Sequence, residues 1–322
     1  MLINMKKRRH HYVPEVLCKR FTRDWRNLYR IDCSELQKGA IPMSIKDAFV
    51  QRDLNTINIA GTRNTNLIED FLDEIYERAF GKSINKIHKI IFENASDRTF
   101  DTNDYHAILD FCILSYLRTP KKLREIHVQT LRRSYLFSLF AKSNEDIPVV
   151  DNDYILTKTL LDGINVIKRH INGMTFRIAY HTFDDEYFLL ADLPIALVNT
   201  NGREFLSPEL DIILPVAKDI AIIFSKSESE SDITHIQKRE TIENINKQIC
   251  INFHKYLACA DKDYLEQFVQ RNNVNAQILP EIENVVAEKE RIIEELKTEL
   301  EKNPKGRYIR VNKNGIELIK ME

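Results

Sequence analysis

Apolar residues recur every three or four positions in the first half of the chain and close to every second position in the middle, so the pattern predicts helices first and strands after. Ile68, Phe71, Leu72, Ile75 and Ala79 share one helical face, and Asn66 with Glu69 resembles a capping box at its start. Ile84, Ile87 and Ile91 continue the stripe past a bend at Gly81. A second helix start lies at Asp101-Thr102-Asn103-Asp104, followed by Ile108, Phe111, Cys112, Ser115 and Tyr116 on one face; Pro120 stops it near Arg118-Thr119. Residues 121–142 and about 153–169 read as further helices. The period then shortens. Short strands are expected at 174–180, up to 190, at 195–198, at 211–214 and at 220–224, giving a sheet of four or five strands that also takes in Leu28–Ile31. Residues 32–64 read as loop. Helices return at 234–258, 262–271 and 281–302, and Asn314-Gly315 between two alternating runs marks a terminal β-hairpin.

The predicted class is therefore α+β: a helical layer on a small, mainly antiparallel sheet in a main domain of residues 1–272, with residues 273–322 as a charged helix and hairpin appended to it. A chain of 322 residues with 43% hydrophobic and 30% charged residues, only 8 glycines and 9 prolines, suits such a helix-rich globule. No apolar run reaches the roughly 20 residues that span a bilayer, so no membrane association is expected. The five cysteines are scattered without a Cys-x-x-Cys pair, which points to reduced thiols in a cytoplasmic protein. The net charge of −1 conceals asymmetry: nine Lys/Arg against Glu15 and Asp24 in residues 1–30, and eight Glu against three cations in residues 281–301. The basic front could meet a polyanion, and the acidic helix could meet a protein partner.

His11-Tyr12-Val13-Pro14, then Leu17 and Arg20-Phe21, resembles the opening of a bacterial family, domain of unknown function 4238. Ser44-Ile45-Lys46 with Phe49, Ile68-Glu69-Asp70 with Leu72, Leu117-Arg118-Thr119-Pro120, Asp192-Leu193-Pro194-Ile195 and Leu214-Pro215 follow in the family's order, covering about residues 10–270. Two positions depart from it: Ala191 and Leu193 flank Asp192 where polar residues are expected, and Tyr76 stands where a second helix glutamate is expected. The resemblance implies a prokaryotic or phage-related origin and no particular reaction.

Four residues are candidates for chemistry: His11 as base, Glu69 and Asp192 as carboxylates, and Arg118 as a phosphate clamp. Each has a structural alternative. His11 could be a hydrogen-bonded clip, and Arg118 could be held in a buried pair with Asp192 or Glu69. The carboxylates Glu69, Asp70, Asp73, Glu74 and Glu77 could bind a divalent metal, but the spacing of Asp70, Asp73, Glu74 and Glu77 is that of a solvated helix face, Glu69 is accounted for by capping, and no metal-binding motif is present. Arg8, Arg9, Lys19, Arg20, Lys121, Lys122 and Arg124 could contact nucleic-acid phosphates, with Tyr12, Phe21, Trp25 and Tyr29 interleaved for stacking. Gly-rich phosphate loops, nucleophile elbows and zincin motifs are absent from the sequence. Two functional classes stay open: a nucleic-acid-directed enzyme, nuclease-like and of host–phage conflict, or a non-catalytic binding or assembly module.

Overall fold

The computed structural model describes residues 9–52, 54, 57–59, 62–64, 67–93, 100–123, 125–126, 163–200, 205, 207–226, 233–276, 294, 298, 307–312 and 315–320. The chain divides into two compact units, residues 1–122 with 160–279 and residues 123–159 with 280–322. Helices and small, mostly antiparallel sheets make it an α+β protein.

In the larger unit, strand β1 (Arg9–His11) pairs antiparallel with β4 (Val50–Arg52). Pro14 then turns the chain into the single helical turn α1 (Glu15–Cys18). Proline suits this place because its fixed φ favours an extended-to-helical switch and its missing N–H costs nothing at a helix start. Helix α2 (Leu67–Leu72) passes through a π-helical turn, Asp73–Glu77, into α3 (Arg78–Phe92) without a break at Gly81. Gly81 has another use: a Cβ there would lie 3.1 Å from the Val16 side chain, so glycine lets α1 seat directly on α3.

Helix α4 (Thr102–Leu117) starts with the expected cap. The Asp101 carboxylate accepts from the Asn103 and Asp104 N–H groups, and the Asp104 side chain returns a bond to Asp101. From Ile108 to Leu117 only Asp110 is not buried, so α4 is the central helix, apolar on all sides. Phe80 of α3 stacks on Phe111 at 3.5 Å between ring centroids, and Tyr105 meets Phe224 edge-on at 5.8 Å, joining both helices to the sheet. Each such buried ring or branched side chain contributes about 1.5–3 kcal/mol of transfer free energy.

The sheet beneath α4 has five strands in the order β12-β7-β11-β10-β9, where β7 is Thr175–Tyr180, β9 Ala196–Val198, β10 Asp211–Ala217, β11 Ile220–Ser225 and β12 Ile233–His235. All neighbours are antiparallel except β12 with β7. A second, antiparallel sheet of four strands runs β3-β2-β13-β8, with β2 Asn27–Asp32, β3 Ile41–Ser44, β8 Leu190–Ala191 and β13 Tyr256–Cys259.

Three details differ from expectation. The strands at Leu28–Ile31 and at 190 join the second sheet rather than the 174–225 sheet, because both pair with β13. That partner lies within the run expected as one helix, 234–258; helix α6 covers only Arg239–Asn252, and Phe253 is extended. Residues 32–64 contain β3, β4 and a small hairpin of β5 (Ile57–Ile59) with β6 (Thr62–Asn64), each too short to show a clear alternation. Helix α7 (Lys262–Arg271) falls as expected. Residues 163–171 form helix α5 and residues 120–123 and 125–126 are helical, while 127–162 and the Asn66 cap lie outside the described residues.

In the smaller unit, β14 (Arg307–Asn312) and β15 (Gly315–Lys320) form an antiparallel hairpin with Asn312 opposite Gly315. The expected 281–302 helix lies outside the described residues apart from 294 and 298, which are helical. Among the described residues no helix is long and apolar enough to cross a membrane.

Candidate functional site: a histidine among carboxylates and a buried arginine

Arg118 is the largest fully buried side chain, 1% exposed, at the C-cap of α4. An unpaired guanidinium there would be intolerable, and two partners from distant segments compensate it. Its Nη1 donates to Glu77 Oε1 at 2.6 Å, and its Nη2 donates to the backbone carbonyl of His11. The partner is Glu77, neither Asp192 nor Glu69. Arg118 thereby fastens β1 and the π-helical turn to the end of the central helix.

The π turn explains why Glu77 is available. Leu72 and Phe80 are eight residues apart yet both buried, 1% and 0% exposed. In an uninterrupted α-helix a separation of eight turns two side chains about 80° apart, whereas seven leaves about 20°. One extra residue absorbed by the wide turn makes eight behave as seven. Glu69 and Glu77 are related in the same way. Both therefore face His11, and Ile75 is pushed into solvent at 52% exposure instead of joining the buried stripe. Glu77 thus leaves the solvated acidic face to which its spacing assigned it, and supplies the second glutamate that Tyr76 lacked.

His11 sits in the middle of this group. Its Nε2 is buried, lies 3.7 Å from Glu15 Oε1, and has no hydrogen-bond partner among the described residues. Burial pushes the imidazole pKa below its ordinary value. Glu15, Glu69 and Glu77 pull it back up, while Arg118 works with burial. The resting ring is neutral at pH 7, and a proton arriving on it would be met by three carboxylates. Such an arrangement can accept and return a proton. Among the described residues no set of three His, Cys, Asp or Glu side chains is arranged to hold a metal ion.

Asp192 stands apart, committed to the backbone. Its Oδ1 accepts from His254 N–H at 2.8 Å, and its Oδ2 accepts from Lys255 at 2.6 Å and Tyr256 at 2.9 Å. The Asp192 N–H also donates to the Tyr256 carbonyl. Burial raises this carboxyl's pKa against the pull of the three N–H donors. Its visible work is to end α6 and start β13. Apolar Ala191 and Leu193 are both buried beside it, in keeping with a packed clip.

The basic residues disperse. Arg9 is held by Asp47 and the Lys46 carbonyl. Arg20 is half-buried, with Nη2 donating to Asn85 Oδ1 at 2.5 Å. Lys19 is exposed, Lys121 half-buried, and Lys122 sits 4.7 Å from the Tyr116 ring centre. Arg8 and Arg124 lie outside the described residues.

The family model described as "Protein of unknown function (DUF4238)" matches residues 9–263, a span that contains every residue of this site. No curated protein and no solved structure matches the chain.

Proposed function

The chain belongs to the DUF4238 family, and from its geometry we propose that it is an acid–base enzyme acting on nucleic acid, with His11 as the general base. The carrying observation is the imidazole itself: half-buried, lowered in pKa, and with a buried Nε2 that no described residue satisfies, yet within the electrostatic influence of Glu15, Glu69 and Glu77. Buried polar side-chain atoms usually have a hydrogen-bond partner. Here the free Nε2 is the atom to which a substrate hydroxyl or a water would give its proton. Burial keeps the base neutral beforehand, and the carboxylates stabilise the imidazolium that forms. Glu15 is the nearest of these. Arg118 is a positioning residue, since its two terminal nitrogens donate to Glu77 and to the His11 carbonyl.

Nucleic acid is the substrate class favoured by the sequence around the two anchored segments. In sequence His11 lies between Arg9 and the Lys19-Arg20 pair, and Arg118 precedes Lys121-Lys122, so the Arg118–His11 contact joins two segments that each carry cations, although Arg9, Arg20 and Lys122 turn to separate partners. In phosphodiester cleavage the deprotonated hydroxyl or water bonds to phosphorus, the P–O bond to the leaving oxygen breaks, and that oxygen takes up the proton that the His11 imidazolium returns. A nuclease of this kind suits host–phage conflict, and phage plaque counts on cells carrying wild type or His11→Ala would test that role.

The biochemical test is incubation of the full chain with single-stranded and duplex DNA, RNA and tRNA, with and without Mg²⁺. His11→Ala should lose about 10²–10⁴-fold in cleavage rate while keeping its circular dichroism. Glu15→Gln should retain activity with its acid limb moved to lower pH, because a carboxylate that raises the His11 pKa is gone. Equal rates for wild type and His11→Ala would sink the proposal. That result would favour the second reading, a binding module in which Arg118 and Glu77 are simply a buried latch.

A further inference from the structure

Four aromatic residues interleave with the basic opening of the chain, and their fates diverge. Tyr12 and Phe21 are core residues at 5% and 0% exposure, and Tyr29 is half-buried in β2. Trp25, the chain's sole tryptophan, is 63% exposed. It also has φ of 63°, a left-handed backbone that a bulky L-residue adopts only when its surroundings impose it.

The surroundings do impose it. The Trp25 N–H donates to Thr22 Oγ1 at 2.9 Å, and that hydroxyl donates to the Lys19 carbonyl at 2.8 Å. On the other side, Asp24 Oδ1 accepts from the Arg26 and Asn27 N–H groups at 2.9 and 2.8 Å. Arg23 ties the loop to the body of the unit through Asp261 at 2.5 Å and the Tyr187 hydroxyl at 2.8 Å. The Arg26 carbonyl accepts from Ile45 N–H. A five-residue loop braced on every side thus holds a large indole out in water. Burial of the ring contributes little to the fold, so the bracing is not explained by packing.

Two exposed cations belong to the same stretch: Arg26 follows Trp25 directly, and the carbonyl of Lys19 accepts from the Thr22 hydroxyl. Neither Lys19 nor Arg26 directs its charged head to another described residue. An exposed aromatic ring on a braced loop with cations close by in the chain matches an unpaired base and its adjoining phosphates, and duplex bases, already stacked on one another, cannot use it.

We propose that Trp25 is a stacking platform for one unpaired base of single-stranded nucleic acid, with Lys19 and Arg26 taking the neighbouring phosphates. The inference extends the nucleic-acid reading above but rests on different residues. It is tested by binding rather than cleavage.

Because the indole is unique, its own fluorescence reports the contact. The full-length His11→Ala protein, used so that the strand stays intact, is titrated with oligo(dT), oligo(rU) and a DNA duplex of equal length. Saturable quenching by the single strands and none by the duplex is expected. By anisotropy of a labelled strand, Trp25→Ala should bind about 5- to 150-fold more weakly, and Trp25→Phe should stay near wild type. Arg26→Gln should lower the slope of log affinity against log salt by about 0.7, while Trp25→Ala leaves that slope alone. Absence of quenching, equal affinity of Trp25→Ala, or a response to duplex equal to that of single strands would each overturn the proposal. Quenching that persists when His11→Ala still cleaves would leave the platform standing while the base assignment fell.

Discussion

Glu77 and Arg118 form a pair in which one member is almost wholly buried and the other largely so, with side chains 16% and 1% exposed. Removing one charge from such a pair costs more than the pair itself contributes, because the remaining ion stays desolvated. Glu77→Gln should therefore lose about 3–5 kcal/mol in urea unfolding, with an unchanged denaturant slope. A loss below about 1 kcal/mol, the range of surface pairs, would mean that water reaches the guanidinium. A buried imidazole, His181, adds a pH dependence. Burial lowers its pKa, against the opposing influence of Asp219 and the Lys218 carbonyl, with Lys218 acting to lower it and Glu186 to raise it. The unfolded chain, with histidine near 6.5, takes up the proton first, so this contribution to stability is complete above that pH and is lost as pH falls through it towards the folded value. His11 acts in the same direction. Thermal midpoints should fall between pH 7.5 and 5.5 in wild type and fall less in His181→Gln. A parallel decline in both proteins would assign the pH dependence to other groups.

The π-helical turn makes its own prediction at the level of the element. If the turn is one residue absorbed into an otherwise regular helix, deleting a residue from it restores the α spacing and keeps Glu69, Leu72, Glu77 and Phe80 on their present faces. Ile75 is the residue to remove, since it is exposed and leaves an apolar side chain in water. The deletion protein should keep its helicity and its midpoint of unfolding. Deleting buried Ile84 from α3 would instead rotate everything before it by about 100° and should abolish folding. Elements with one strong local signal were legible in the sequence. The Asp101 cap, the Pro120 stop and the strands β7, β10 and β11 all fell where periodicity and capping chemistry put them. What escaped was set from far away. The residues of β13 carry no local cue to leave the helix; they do so because Asp192, over sixty positions earlier, collects their N–H groups. Glu77 escaped for a related reason. An eight-residue spacing reads as divergence unless the wide turn is known, and an apolar residue stranded at Ile75 was the available hint.

Across the larger unit, His11, Glu69 and Arg118 come from three well-separated stretches and meet, while Asp192 holds a neighbouring strand in place. The meeting is enforced mainly by backbone and close packing. Gly81 admits α1, Pro14 aims it, and the Arg118 guanidinium fixes the His11 carbonyl. These residues lie within the 9–263 span of the family match, as does the indole loop at 22–26. The wide turn has a consequence for recognising the acidic pair in any chain built this way. Lengthening the helix by one residue and swelling one of its turns cancel, so glutamates seven apart on a regular helix and eight apart on a swollen one occupy the same places in space. A motif written with a single fixed gap would pass over one of the two forms, and here it would record a tyrosine at the position whose carboxylate arrives one residue later.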